Sequence, residues 1–144
     1  MKVDFIDDDN FIIYYTSYKD LRGEEELKNL FKMLNNRLKK LYNYEFHGYY
    51  NVLIYVCKNI YVMCFENIDD FGRADFNITM LFNSSLLYEL DDLDLAKGNM
   101  LYYDGKFYID LEDVFDDIYL FERGNIIYGD LVELILSRGK FITI

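Results

Sequence analysis

The sequence has few of the residue types on which most enzymes depend. Its 144 residues include one histidine and two cysteines, and neither proline nor tryptophan occurs. A hydrolase triad needs a base beside its nucleophile, and most zinc sites need several His or Cys ligands, so both are disfavoured. The eight glycines are scattered, whereas a phosphate-binding loop needs several at close spacing. We therefore predict a protein that is not an enzyme, with no catalytic residue, no cofactor and no metal.

Carboxylates are the only potentially catalytic side-chain group that is abundant in this sequence. Paired carboxylates can catalyse reactions without histidine, as in glycosidases, but 26 acidic residues guarantee accidental pairs. The segment Asp91–Asp94 lacks the glycine that a calcium-binding loop requires. The acidic residues therefore point to no particular reaction.

The charge of the chain is strongly negative. With 15 basic residues against its 26 acidic ones, the formal charge is -11, which disfavours nucleic-acid binding by phosphate neutralisation. No apolar run approaches the roughly 18 residues of a membrane span. Aspartates at positions 7–9 are unlike a secretory signal. We expect a cytoplasmic protein with reduced thiols and no membrane association.

The hydrophobic pattern predicts an α+β fold: an antiparallel sheet built from hairpins, with helices packed on it. We expect two similar-sized halves, 1–68 and 69–144, or one compact domain, with the joint at Asn67–Asp75. In the first half we predict strands at Lys2–Ile6, Phe11–Tyr15, Tyr49–Cys57 and Ile60–Glu66 and a helix at Glu24–Tyr42. In the second we predict strands at Phe76–Phe82, Met100–Tyr103, Lys106–Leu111 and Lys140–Ile144 and helices at Ser84–Leu90, Asp113–Arg123 and Asp130–Arg138.

Two hairpins carry the candidate interaction surfaces. Both faces of the hairpin from Tyr49 to Glu66 are apolar, so we expect it to be central and covered on both sides, either by the other half of the chain or by a second copy in a homo-oligomer. The other hairpin turns at Asp104-Gly105, a strong turn signal. Its mixed aromatic and charged face is our candidate partner-binding surface; it comprises Tyr103, Asp104, Lys106, Tyr108 and Asp110.

The order of elements resembles the MecA-type adaptor family, bacterial proteins that deliver substrates to Clp-class AAA+ unfoldases. Residues 1–16 are similar to the family's opening hairpin, and a helix and a second hairpin follow. Residues 101–109 are similar to its tyrosine-rich hairpin, and Ile135, Gly139, Lys140 and Ile142 to its closing residues. The resemblance implies a non-catalytic adaptor.

Two functions that act on a different protein are open, beside a self-associating structural or regulatory domain, which the two apolar faces of the hairpin from Tyr49 to Glu66 indicate. One is a protein-binding adaptor or regulator of the MecA type. The other is an acidic inhibitor, immunity or anti-defence protein of bacterial or phage origin, which blocks a basic nucleic-acid-handling protein. Both predict that the partner is another protein with a basic surface and that the chain does not bind nucleic acid directly.

Overall fold

The computed structural model describes residues 1–90, 99–111 and 125–143, and these form an α+β protein. The predicted helix Asp113–Arg123 lies outside the described residues. The elements are β1 (Lys2–Phe5), β2 (Asn10–Thr16), α1 (Glu24–Tyr42), β3 (Tyr49–Cys57), β4 (Ile60–Asp69), β5 (Asp75–Leu81), β6 (Leu87–Leu90), β7 (Asn99–Tyr103), β8 (Lys106–Asp110), β9 (Asn125–Ile127), α2 (Asp130–Arg138) and β10 (Lys140–Thr143).

The chain divides into two compact units, 1–81 and 82–144. The division lies later than the predicted boundary between 68 and 69. The reason is that β5 pairs in parallel with β3, from Tyr49 opposite Asp75 to Tyr55 opposite Leu81. The segment Asn67–Asp75 is therefore a connection inside the first unit and not a joint between two halves.

The first unit contains a five-stranded sheet in the order β1-β2-β4-β3-β5. All of its pairs are antiparallel except β3 with β5. The hairpin of β3 and β4 is central, as predicted. Because β5 starts beside the start of β3, the chain leaving β4 must cross that end of β3, and it does so at Gly48.

Helix α1 packs on one face of this sheet. Its Leu30, Phe31, Leu34 and Leu38 are buried with the inward-facing residues of β2, β3 and β4. Three glutamates in the first turn and two lysines in the last suit the helix dipole. Asn43 ends the helix in the left-handed conformation, at φ 53°.

The opposite face of the sheet is apolar along much of its length and polar at one end. Ile12 is 7% exposed and Val62 is fully buried, whereas Asn51, Glu66 and Asn77 are exposed. The prediction that the hairpin is covered on both sides therefore agrees with the burial of its middle and fails at the polar end.

The second unit contains an antiparallel sheet in the order β10-β7-β8-β6-β9. Helix α2 packs on it through Val132 and Ile135. The predicted helix Ser84–Leu90 is wrong, because Leu87–Leu90 forms β6 between β8 and β9. All four of its residues are buried, and burial in the sheet outweighs the capping signal of the serines before it.

Neither described helix combines the length and apolarity needed to cross a bilayer. Cys57 and Cys64 lie on adjacent strands, and neither forms a disulfide.

Candidate protein-binding surface

Two acidic loops that are far apart in the sequence meet at one end of the first sheet. The turn between β1 and β2 contains Asp7, Asp8 and Asp9, and the loop after β4 contains Asp70, with Asp69 at the end of β4 itself. Pairing of β2 with β4 brings the two together, and the Asn67 N–H donates to the Asp9 carbonyl at 2.7 Å. We call these five aspartates the acidic end.

The β1–β2 turn is held by one of its own carboxylates. Asp7 Oδ1 accepts the backbone N–H of Asp9 at 2.9 Å and that of Asn10 at 2.8 Å, and the Asn10 side chain donates to both carboxylate oxygens. The hydrogen bond from the Asn10 side chain is the largest cause that lowers the pKa of Asp7. Asp7 therefore has a structural role, while Asp8 and Asp9 are exposed beside it.

The loop after β4 presents an aromatic ring to solvent. Phe71 is 90% exposed, and its backbone N–H donates to Asp69 Oδ1 at 2.9 Å. The loop is fixed where it crosses β3, because the Gly48 N–H donates to the Gly72 carbonyl at 3.1 Å. Ile6, in the β1–β2 turn, is also exposed. Each of the two loops therefore has an exposed apolar side chain next to its aspartates in the sequence.

A hydrogen-bonded network lies beneath the acidic end. The hydroxyl of the buried Tyr50 accepts the His47 N–H at 3.1 Å and lies 2.7 Å from the hydroxyl of Tyr44. Burial raises the pKa of Tyr44, and the charges of Asp70 and Asp9 add to the effect. These two carboxylates belong to different loops.

His47 faces the same loop. Its Nε2 lies 3.4 Å from Asp70 Oδ1, and its Nδ1 lies 2.9 Å from the Glu45 carbonyl. The Asn67 side chain donates to the His47 carbonyl at 2.9 Å. These contacts hold the segment before β3 against the end of β4, and so help to fix the position of the loop after β4.

The predicted surface on the second hairpin is only partly exposed. Tyr108 is 5% exposed and packs in a cluster with Leu101, Val132 and Ile135, so the expectation that it lies on an exposed face is wrong. The reason is that α2 covers this face of the sheet. Tyr103 is half-buried against the same cluster.

The three charged residues of that prediction remain at the surface. Asp104 and Asp110 are exposed, and Lys106 Nζ forms an ion pair with Glu89 Oε1 at 2.9 Å. Sequence reasoning missed Glu89, which is 8% exposed and also accepts a hydrogen bond from the Asn125 side chain at 2.9 Å. Hydrogen bonds from Asn125 and Lys106 lower the pKa of Glu89. The Glu89 pair stabilises the sheet at the position where we expected a partner contact.

An open groove of about 490 Å³ lies between α1 and β5. Its apolar residues are Leu27, Phe31, Phe46, Ala74, Phe76 and Ile78. Its rim carries two acidic and two basic residues; they are Glu24, Asp75, Lys28 and Lys32. Within the described parts of the chain, no group of three or more His, Cys, Asp or Glu side chains could hold a metal ion.

Comparison of the chain with protein-family models, with curated proteins and with solved structures finds no match.

Proposed function

We propose that the chain is a non-catalytic protein-binding adaptor or regulator, and that its acidic end binds a basic surface of another protein. The observation that carries the proposal is Phe71, an aromatic side chain that is 90% exposed and directly follows Asp69 and Asp70 in the loop after β4. Buried aromatic residues supply much of the binding energy of protein interfaces. Charges around them speed association and select the partner.

The local charge supports this proposal more specifically than the total charge does. Residues 1–81 contain 13 acidic and 10 basic residues, whereas residues 82–144 contain 13 acidic and five basic ones. The first unit is therefore close to balanced overall. Negative charge is concentrated locally at its acidic end. Arg73 is the only basic residue of the two loops there.

An acidic inhibitor of a nucleic-acid-handling protein is the second candidate. Asp8, Asp9 and Asp70 favour it, because these exposed carboxylates stand on separate loops and together offer several negative charges to one basic site. The adaptor hypothesis, which follows the resemblance to MecA-type proteins, requires an unfoldase as the partner. The two candidates thus share a surface and differ in what binds it.

Neutralising the acidic end tests the proposal. The triple variant D8N/D9N/D70N removes three charges and keeps Asp7 and Asp69, whose carboxylates hold the two loops. The matched control, E24Q/E25Q/E26Q, removes three charges from the first turn of α1. Each immobilised protein is exposed to a bacterial lysate at about 50 and about 300 mM salt, a range over which screening rises strongly, and bound polypeptides are quantified by mass spectrometry.

We expect wild type and control to retain the same polypeptide at low salt, and the triple variant to retain roughly tenfold less. Equal retention by both variants would contradict the proposal. The identity of the polypeptide then separates the candidates. An ATPase of the unfoldase class supports the adaptor, and a nucleic-acid-binding protein from which the chain displaces DNA supports the inhibitor.

A further inference from the structure

The strand β5 forms an edge of its sheet and has few of the sequence features that protect an edge from pairing. It is the last strand of its sheet among the described residues, it is seven residues long, and from Phe76 to Leu81 it contains neither a charged residue nor proline. The opposite edge strand, β1, is four residues long and contains Lys2 and Asp4. Short length and charge are the usual means of protecting an edge from pairing. β1 has both, whereas β5 is longer and has one charged residue, Asp75, at its start.

The hydrogen bonds to β3 identify the backbone groups that point outward from β5. The Asp75 N–H donates to the Gly48 carbonyl at 2.9 Å, so Asp75 faces β3. Because backbone groups alternate along a strand, the outward-facing N–H and C=O groups belong to Phe76, Ile78 and Met80. The Phe76 N–H already donates to its neighbour, Asp75 Oδ1, at 3.0 Å.

We propose that β5 pairs antiparallel with β5 of a second copy of this chain, about a two-fold axis at Ile78. Ile78 then exchanges both N–H···O=C bonds with Ile78 of the second copy. The Met80 N–H donates to the Phe76 carbonyl of the second copy, and the symmetric bond forms in return. The two sheets join into one. Such an isologous contact requires a surface that complements itself.

The side chains of β5 meet this requirement. On the face toward α1, Phe76 lies opposite Met80 of the second copy, and Ile78 lies opposite its own copy, so each pair is apolar. On the other face, Asn77 lies opposite Thr79 of the second copy, which is a polar pair, and the one mismatched pair, Asp75 with Leu81 of the second copy, lies at the two ends of the ladder. Cross-strand pairs of like polarity stabilise an antiparallel ladder.

The charge beside β5 allows a second copy to occupy this edge. Two copies of a chain of charge -11 repel each other over most of their surfaces. The rim beside β5 is an exception, since its acidic Glu24 and Asp75 balance its basic Lys28 and Lys32. Lys28 Nζ lies 3.4 Å from Glu24 Oε1, so this region can approach its own copy without net repulsion.

Sedimentation equilibrium of the full chain tests the proposal, over about 1 to about 500 µM, because self-association depends on concentration. We expect a reversible dimer. The variant N77K/T79K places lysines opposite lysines across the two-fold axis. Both positions are exposed, so we expect the fold to survive and the dimer dissociation constant to rise about tenfold or more. The control N29K/N36K adds the same charge on exposed positions of α1 and should dimerise like wild type.

A charge exchange tests the register. N77E/T79E should also be monomeric alone, whereas an equimolar mixture with N77K/T79K should form heterodimers, because each lysine then lies opposite a glutamate. Far-UV circular dichroism confirms that each variant is folded. A wild type that stays monomeric over the whole range would overturn the proposal. So would a dimer that the lysine variant leaves intact. Neither result depends on the acidic end.

Discussion

Gly48 is a position where the path of the chain depends strictly on glycine. Its φ is +75°, and a Cβ there would lie 1.7 Å from the Asp69 carbonyl oxygen. The loop from β4 to β5 crosses β3 at this point, bonded to the backbone of Gly48 on both sides through Gly72 and Asp75. We therefore predict that Gly48→Ala strongly destabilises the first unit and displaces the loop that carries Phe71.

Two costs determine how much Gly48→Ala should lower the free energy of unfolding. A left-handed backbone at a residue with a side chain costs about 1–2 kcal/mol, and forcing backbone apart to make room adds about 1–3 kcal/mol. We expect a total of about 3 kcal/mol for Gly48→Ala after the smaller gain from a stiffer unfolded chain. Gly72→Ala is the matched control, because its φ is +86° but nothing lies within 4 Å of the added Cβ. It should cost about 1 kcal/mol.

Urea unfolding followed by circular dichroism gives the free energies. The chain forms two compact units, and circular dichroism reports both together. Hydrogen exchange of peptides from residues 1–81 is therefore measured as well, because it reports the stability of the first unit alone. The loss of protection in Gly48→Ala should be largest from Asn67 to Asp75. If the free energies of unfolding of Gly48→Ala and Gly72→Ala differ by less than about 0.5 kcal/mol, the close approach of Gly48 to the Asp69 carbonyl is refuted.

Two further predictions concern the cores of the two units. Leu34 is fully buried on the inner side of α1, and Leu34→Ala should lower the free energy of unfolding by about 3 kcal/mol. Leu41 is 67% exposed on the same helix, and Leu41→Ala should lower it by less than about 0.5 kcal/mol in the same urea assay. The lowered pKa of Glu89 contributes stability above the unfolded value of about 4.3, and that contribution is lost as the pH falls through the folded pKa. The free energy of unfolding should therefore fall more steeply between about pH 5 and pH 3 in wild type than in Glu89→Gln, and parallel curves would contradict this role.

Local patterns predicted the elements of the first unit well. The apolar stripe of α1, with its acidic start and basic end, gave the bounds that the structure has, Glu24–Tyr42. The two-residue turn Lys58-Asn59 gave the register of β3 with β4. In both cases the deciding interactions lie within one element or between neighbours in the sequence.

Features set by distant pairing could not be predicted in the same way. Nothing near Phe76 indicates that β5 joins β3, so the predicted boundary fell too early. Helix α2 is distant in sequence from Tyr108, so its covering of that residue was not foreseen. The acidic end is a similar case, because Asp7–Asp9 and Asp69–Asp70 were visible as separate clusters and only the pairing of β2 with β4 brings them together.

Site-specific photo-cross-linking shows whether a partner binds at the acidic end. A photoreactive phenylalanine analogue replaces Phe71 in one protein and Tyr18 in another, since both side chains are at least 87% exposed and Tyr18 lies in the loop after β2. With the acidic end as the binding surface, one polypeptide should be cross-linked from position 71 and not from position 18, and the substitutions D8N and D9N should reduce the yield of that product severalfold. A product of equal yield from both positions, or none from position 71, would contradict the account.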